Sequence, residues 1–464
     1  MFRIGTFAVR KGARTSSQVV LALTLPLWFF TIGGFAESET TTKSSPADIL
    51  RRAAAEGKLA YKLTTPEELK ALLGPDAKET TKNDGGMEIL DLGYSDVRAR
   101  FGRMRHVSLP FTLLWINTGS RKIDIGQKRQ IVLRHEEDLN RFDSFWGFAD
   151  VSLARLDLRE HLELLEKMPF DSRTVWPESD KMPKRFNPAT LLEEGMNPGL
   201  GVRSLHEQSI DGRGVTIAII DQPLLKNHQE YTDRLTEYEP VGLITAMMSP
   251  KMHGPPVCSI AVGKTCGVAP KASLRYFAVQ MWLPDNKPYS YAVNKLIDFN
   301  KDRDISEQIR VMSISTGMFP QQANFDGWQE TLVRAEENGI LVVTCDPAFL
   351  RYGTLARIPG RDPDKPLSYR RGKYGHENSV LLIPAGNRTI ASHHRPDVYT
   401  YTRTGGMSWA APYMAGLAAL AYQVKPEIDP KIIVDLWLKA ATQTDVGPII
   451  NPVDFIEAVR KSKR

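Results

Sequence analysis

The sequence predicts an α/β fold with a doubly wound, mostly parallel sheet, preceded by a smaller α+β N-terminal domain. From about residue 205, short apolar runs rich in β-branched residues recur, as expected for strands buried on both faces of a sheet. The runs are 214–221 ("GVTIAIID"), 272–279, 309–315, 340–345 and 379–385. Helix-like stretches such as residues 325–339 separate them, and this alternation is typical of a parallel sheet with helices on both faces.

Changes in composition divide the chain into four parts. Residues 1–36 are predicted to be a signal peptide, and residues 37–175 an N-terminal α+β domain. Residues 176–204, rich in proline, glycine and charge, are predicted to be a linker or wrapping segment. Residues 205–464 would then form the α/β domain.

The N-terminal α+β domain contains a helix with clear start and stop signals. In "TTPEELKALLGP", Thr65 is a helix cap, Pro66 occupies the first turn and Glu68 completes a capping box. Gly74 and the proline after it end the helix. Strand-like pieces follow, and a second helix is predicted around residues 158–168.

The first 36 residues have the three parts of a secretory signal. Four basic residues and no acidic one precede the apolar run "VVLALTLPLWFFTIGGFA", which ends in small residues. We therefore expect cleavage after Ala36 and export to the periplasm or the extracellular space. An uncleaved membrane anchor is the alternative, for which the apolar run is barely long enough.

Charge and cysteine content restrict the partners. The chain has a formal charge of +6, of which +4 lies in residues 1–36. The rest carries only +2, which argues against nucleic-acid binding and leaves the signal segment as the one predicted membrane contact. Cys258, Cys266 and Cys345 include no CxxC pair, which disfavours a structural zinc site. We expect buried thiols, with a Cys258–Cys266 disulfide as the alternative.

Three residues of the α/β domain could activate a nucleophile. Asp221 ends the first buried strand, at the carboxyl edge where such folds bind ligands. His253 precedes an apolar, helix-like run, and Ser408 opens the long segment "SWAAPYMAGLAALAYQV". Taken singly, a turn aspartate, a surface or capping histidine and an N-cap serine are each ordinary. Their order along the chain, however, is that of the subtilisin triad.

The sequences around these residues resemble those of the subtilisin-like serine proteases (subtilases). "GRGVTIAIID" is similar to the family's "GxGVxVAVIDTG", "HGPPVCSIAVG…GVAP" to "HGTHVAGxxAG…GVAP", and "GMSWAAPYMAG" to "GTSMAAPHVAG". "MSISTG" and "IPAGNRTIAS" resemble the family's "NMSLG" and "APGxxIxS". The five segments occur in the family's order between roughly residues 200 and 445. The resemblance implies a subtilisin-like fold for residues 205–464.

The resemblance also implies an activity, the hydrolysis of peptide bonds in a polypeptide substrate through an acyl-enzyme intermediate. His253 would take the proton of Ser408 and later protonate the leaving amine, while Asp221 would orient and stabilise the imidazole. The main chain of the substrate is implied to pair with three residues: Ser315, Thr316 and Gly317. No cofactor is required. Calcium is frequent in the family, but no Asp- or Asn-rich loop forms a convincing site, so calcium binding stays open and no metal ligands are predicted.

The oxyanion hole is the main departure from the family. A helix beginning at Ser408 would direct free backbone N–H groups at a developing oxyanion. Subtilases add a side-chain amide from "AAGN", but this chain has "VVTCDPAF", and Asp346 is the positional match. An ionised carboxylate cannot donate a hydrogen bond. Losing one such donor costs about 10²–10³ in turnover.

Alternatives to a general endopeptidase therefore stay open. One is a weak or inactive subtilase-like scaffold that binds peptides or proteins. Another is an enzyme that cleaves only itself, within residues 170–200. An esterase or lipase is disfavoured because no GxSxG motif surrounds Ser408. Residues 37–175 are interpreted either as a prodomain or as a permanent recognition domain.

Overall fold

A computed structural model describes residues 44–56, 58–59, 64–84, 87–104, 111–119, 121–123, 130–142, 147–245 and 248–462. The predicted signal peptide lies outside the described residues. The chain from Ser45 onward forms one compact unit.

The first described elements form an antiparallel sheet with two helices. They are α1 (Pro46–Ala55), α2 (Pro66–Leu73), β1 (Lys78–Asp84), β2 (Met87–Gly93), β3 (Val97–Met104), β4 (Thr112–Thr118) and β5 (Arg121–Ile123). The strands pair in sequence order, each antiparallel to the next. The predicted capping box is present, since Thr65 accepts from Glu68 N and Glu68 accepts from Thr65 N at 2.7 Å. These elements bury a hydrophobic cluster of their own.

The next stretch contains short elements joined by turns. They are β6 (Ile131–Val132), β7 (Val151–Ser152), α3 (Leu162–Lys167), β8 (Phe170–Asp171), α4 (Pro188–Gly195) and α5 (Val202–Glu207). The buried residues of β6 to α4 form one cluster that also includes Tyr401 from the C-terminal half, whereas those of α5 belong to the core of the α/β region. The ring of Phe170 stacks on that of Tyr401 with centroids 5.3 Å apart. This stretch therefore packs directly against the α/β region, and the proposed domain boundaries at residues 175 and 204 stay predictions.

The α/β region supplies the remaining elements. Its strands are β9 (Thr216–Asp221), β10 (Leu235–Pro240), β11 (Ser273–Ala278), β12 (Val311–Ile314), β13 (Leu341–Thr344), β14 (Tyr352–Arg357), β15 (Tyr369–Gly375), β16 (Leu381–Gly386), β17 (Arg388–Ala391), β18 (Tyr399–Thr402), β19 (Thr442–Thr444) and β20 (Gly447–Ile449). Its helices are α6 (Gly254–Val262), α7 (Lys287–Asn300), α8 (Phe325–Glu337), α9 (Met407–Val424), α10 (Pro430–Lys439) and α11 (Pro452–Lys461). The five predicted strands all occur within one or two residues of the predicted bounds.

The central sheet has the order β10-β11-β9-β12-β13, and every neighbouring pair in it is parallel. Alternate residues of β9 enter different cores, as the two-residue period of a strand requires. Ile217 and Ile219 face the side that packs on α6 and α9. Ala218 and Ile220 face the side that packs on α7 and α8. The doubly wound architecture is therefore confirmed, and it leaves the carboxyl end of β9 open for Asp221.

A second sheet, with the order β15-β14-β16-β20-β19, packs against helix α9. Strands β14, β16 and β20 run parallel, whereas the edge strands β15 and β19 are antiparallel to their neighbours. Smaller sheets join β17-β18-β8 and β6-β7. Helix α9 is almost wholly buried from Trp409 to Tyr422, which makes it the central helix of the core.

Candidate active site

Asp221 and His253 form a buried acid–base pair at the carboxyl end of β9. The Nδ1 atom of His253 lies 2.8 Å from Asp221 Oδ1 and 2.9 Å from Oδ2. The Asp221 side chain is inaccessible to solvent, and that of His253 is 16% exposed. The backbone N–H of Gln222 also donates to Asp221 Oδ1 at 2.7 Å. A carboxylate that holds Nδ1 leaves Nε2 available as a base.

The sequence "HGPP" explains how helix α6 brings His253 to Asp221. His253 is the N-cap of α6, without a capping bond from its side chain. A Cβ at Gly254 would lie 2.9 Å from the carbonyl oxygen of Gln222 and closer still to the hydroxyl of Tyr276. Only glycine therefore lets the start of the helix approach the end of β9 this closely. Pro255 and Pro256 are tolerated because the first turn of a helix needs no N–H donors.

Ser408 is the second residue of α9 and stands two residues after the N-cap. The N-cap is Gly406, so the prediction that the helix begins at Ser408 is off by one residue, and Ser408 does not cap the helix. Its Oγ donates to the carbonyl of Ser315 at 3.0 Å, and Ser315 Oγ donates to the carbonyl of Ser408 at 3.0 Å. Within the described residues, no hydrogen bond joins Ser408 to His253.

Pro412 accounts for one of these two bonds. In an α-helix, the carbonyl of residue 408 would accept from the N–H of residue 412, but proline has no N–H. The carbonyl of Ser408 is therefore free, and Ser315 supplies the missing donor. The two hydrogen bonds between Ser315 and Ser408 hold the first turn of α9 against the end of β12.

Two neighbours of Ser408 were not predicted as site residues. The ring of Trp409 packs against that of His253 with centroids 5.1 Å apart, and its buried Nε1 has no partner among the described groups. Burial raises the pKa of the Cys345 thiol to about 12, while hydrogen bonds with Tyr352 and Ser408 oppose that shift. The one sequence signal was the tryptophan that stands where the family motif has methionine, directly after the serine.

The oxyanion candidate Asp346 is held as an acceptor. Its Oδ1 accepts from the backbone N–H of Ala348 at 2.8 Å, and its own N–H donates to Thr344 Oγ1 at 3.1 Å. It lies in the turn after β13 and lines a cavity of about 720 Å³. Its carboxylate thus stabilises the turn as a hydrogen-bond acceptor, and in its ionised form it offers no donor.

The predicted substrate-pairing segment follows β12 and is partly engaged within the protein. The carbonyl of Thr316 accepts from Cys345 N at 3.0 Å. Ser315 is buried and bound to Ser408 through both its hydroxyl and its carbonyl. Gly317 packs beside Cys345, whose carbonyl oxygen would lie 3.5 Å from an added Cβ. The segment therefore holds Ser408 in place in addition to the pairing expected of it.

The electrostatics of the pair favour a protonated imidazole. Burial lowers the pKa of His253, but the charge of Asp221 and its hydrogen bond outweigh burial, so the pKa lies above its usual value. A base with a raised pKa accepts a proton more readily and is also protonated over a wider range of acidic pH.

Cys258, Cys266 and Cys345 are free thiols, so the alternative Cys258–Cys266 disulfide is not formed. Searching the described residues finds no group of three His, Cys, Asp or Glu side chains placed to hold a metal ion. Among the described helices, none combines the length and apolar character that crossing a membrane requires.

Comparisons with known proteins agree with the geometry. The sequence profile of the Subtilase family matches residues 212–346. This part of the chain is similar to the subtilases. The match includes Asp221 and His253 and ends at Asp346, so Ser408 lies beyond the matched residues.

Similar proteins extend the comparison beyond the matched residues. Subtilisin-like protease PopC from Myxococcus xanthus is 25% identical over an alignment 313 residues long, which covers 56% of this chain and 62% of the relative. The chain thus spans less than two thirds of that relative's length. Among solved structures, the A-subunit of an AB5 toxin from E. coli gives a TM-score of 0.46 at 17% identity, with 57% of this chain and 99% of that chain covered. A cold-adapted subtilisin-like serine proteinase gives 0.41 at 18% identity, with 52% and 89% covered.

Proposed function

We propose that this protein is an exported serine endopeptidase that cleaves polypeptides through Asp221, His253 and Ser408. The observation that carries the proposal is the buried Asp221 carboxylate on His253 Nδ1, with the His253 ring packed on that of Trp409, the residue after Ser408 in the first turn of the core helix. The family match supports serine peptidase chemistry and, with it, a polypeptide substrate. Export is proposed from the signal-like residues 1–36.

The proposed reaction begins with a rotation of the Ser408 side chain. Its hydroxyl now donates to Ser315 and would turn to His253 Nε2 when a substrate is bound. His253 would then accept the proton as Ser408 Oγ attacks the peptide carbonyl, and Asp221 would stabilise the imidazolium. Return of that proton to the leaving amine breaks the peptide bond and gives the acyl-enzyme. His253 then takes a proton from water, which attacks the acyl group, and returns it to Ser408 Oγ as the product acid leaves.

Backbone N–H groups at the start of α9 are the proposed oxyanion donors. The first N–H groups of a helix have no partner within it, and the helix dipole favours negative charge there. The unpartnered Nε1–H of Trp409 adds a buried donor next to Ser408. Asp346 supplies none in its ionised form.

The alternative function is a subtilase-like scaffold that binds polypeptides without cleaving them. It is favoured by the carboxylate of Asp346, which accepts a bond from Ala348 where the family has an amide donor. Reaction of the purified protein with a fluorophosphonate probe tests the two functions, because the probe forms a bond only with an activated serine. Labelling supports the enzyme, and its absence supports the scaffold.

The substitution Asp346→Asn is expected to raise the rate of fluorophosphonate labelling by up to about 10². The asparagine oxygen can still accept from Ala348 N, which leaves the new NH₂ group as a donor for the oxyanion. Asp346→Ala is the matched control, because it removes the charge without adding a donor. Equal rates in the two variants would show that charge, and not a hydrogen bond, limits the reaction.

The labelling rate is expected to fall on the acid side with a midpoint above pH 6.5, the ordinary pKa of histidine. His253 must be neutral to accept a proton, and its pKa is raised, so protonation removes the base as the pH falls. Asp221→Asn removes the stabilising charge and should move the midpoint down by about one pH unit or more. The exposed Asp233→Asn serves as control, and an unmoved midpoint in Asp221→Asn would contradict the assignment.

A further inference from the structure

A basic pocket opens beside the turn that leads to Ser408. It has a volume of about 290 Å³ and is formed by β14, β15, the last residue of β16 and residues 403–405. Gly405 lines it and stands three residues before Ser408. Nothing in the proposed mechanism uses this pocket.

All the charge in the lining is positive. Four basic residues line the pocket, and none of the described lining residues is acidic: Arg370, Arg371, Lys373 and Arg403. In the part of the chain that the structure describes, none of the four takes part in an ion pair within 4.0 Å. Unpaired cations around a concave site raise the local concentration of anions.

Arg403 lines the pocket, and its guanidinium lies over three aromatic rings that are not part of the lining. It is only 6% exposed and donates to the carbonyls of Met168 at 3.1 Å and Leu165 at 2.8 Å. Carbonyl acceptors orient a guanidinium without cancelling its charge. Glu166 is the acidic group that acts on it from a distance.

The opposite wall is a free sheet edge. Among the described strands, β15 pairs with β14 alone, and its residues from Arg370 to Gly375 are exposed or half-buried. Arg371 and Lys373 stand two residues apart, the spacing that places side chains on one face of a strand. A free edge offers backbone N–H and C=O groups with which an extended peptide can pair.

The floor of the pocket joins this edge to the candidate active site. A Cβ at Gly386 would lie 2.9 Å from the carbonyl oxygen of Arg403, and one at Gly405 would lie 2.7 Å from the N of Gly386. Because these two positions have no side chains, the turn before Ser408 packs directly against the end of β16 and neither glycine fills the floor of the pocket. A segment bound in the pocket would therefore lie against Gly405, three residues before Ser408 along the chain.

We propose that this pocket binds an acidic segment of the polypeptide substrate, held in extended form along β15. The inference rests on the proposed function, since it names the substrate class of the same site. Nucleic acid is the weaker fit because the chain after residue 36 carries a net charge of only +2. The expected preference is for substrates with glutamate or aspartate residues near the scissile bond.

Peptide binding to the Ser408→Ala variant tests this inference without requiring catalysis. The probe is a fluorescein-labelled, glutamate-rich peptide, and its control is the same peptide with every glutamate replaced by glutamine. Fluorescence anisotropy is expected to show tighter binding of the glutamate peptide, weakened several-fold when the salt is raised to about 0.5 M. Adding Arg371→Gln and Lys373→Gln should weaken it by about tenfold, as expected for two exposed charges.

Lys184→Gln with Arg185→Gln is the matched control. Both residues are exposed and lie outside the pocket, so the pair removes the same charge and should leave peptide binding unchanged. Equal affinity for the two peptides, or equal weakening by the two double variants, would overturn the inference. Tighter binding of a single-stranded oligonucleotide than of the glutamate peptide would also overturn it.

The inference and the proposed function can fail separately. Fluorophosphonate labelling of the unmodified protein reports on the serine, whereas anisotropy with Ser408→Ala reports on the pocket. If the protein binds the glutamate peptide but is not labelled, the inference about the pocket stands and the proposed activity is refuted. If the protein is labelled but binds both peptides equally, the proposed activity stands and the inference about the pocket is refuted.

Discussion

Replacing Ser408 by alanine is expected to abolish fluorophosphonate labelling and to lower hydrolysis of unfolded casein by about 10⁶-fold, the loss typical of removing a triad nucleophile. The hydroxyl is the atom that forms the acyl bond, and no neighbouring group can replace it. Cys345 is close, but burial keeps its thiol protonated, with a pKa of about 12. A protonated thiol is a poor nucleophile.

The exposed Ser306→Ala provides the matched control, because it deletes the same hydroxyl far from the candidate site in sequence. It should label and hydrolyse like the unmodified protein. Circular dichroism of both variants checks that the fold is retained. Labelling that persists in Ser408→Ala would place the reactive group elsewhere and would remove the basis of the proposed mechanism.

Asp221→Asn is expected to lower casein hydrolysis by about 10⁴-fold while leaving the fold intact. Asparagine has the shape of aspartate, and its oxygen can still accept from the N–H of Gln222. Its NH₂ group, however, would donate to His253 Nδ1 and favour the tautomer with the proton on Nε2. The base would then carry a proton on the nitrogen that must accept one.

Nuclear magnetic resonance of the His253 ring checks this explanation directly. The spectrum should show the proton on Nδ1 in the unmodified protein and on Nε2 in Asp221→Asn, together with a lower pKa in the variant. Asp233→Asn, which changes an exposed carboxylate, should alter neither. A large loss of rate without a change of tautomer would assign Asp221 a purely structural role.

The sequence predicted the parts of the fold that local chemistry determines. The buried strand ending at Asp221 was visible as a β-branched run, and the capping box at Thr65 was visible from the spacing of three residues. Both are confirmed by the structure. The order of aspartate, histidine and serine identified the candidate triad, because these residue types are needed together and each lies at the boundary of a predicted element.

The remaining features depend on contacts between distant parts of the chain. Cys345 approaches Ser408 only because β13 lies beside β12 in the sheet. The basic pocket combines residues 370–373 with residue 403, which no local pattern connects. Sequence patterns fix a helix boundary only to within one or two residues, so they do not show that Ser408 stands two residues beyond the N-cap Gly406.

Because helix α9 is buried, the environment of Ser408, the proposed nucleophile, depends on the cooperative folding of the whole domain. Residues Trp409–Tyr422 of this helix are buried, so its amides cannot open to solvent without disrupting the core. Their hydrogen exchange should occur only through global unfolding. In a denaturant titration, loss of labelling at Ser408 should therefore coincide with loss of the fold, which makes the reactivity of this serine a direct reporter of the folded population.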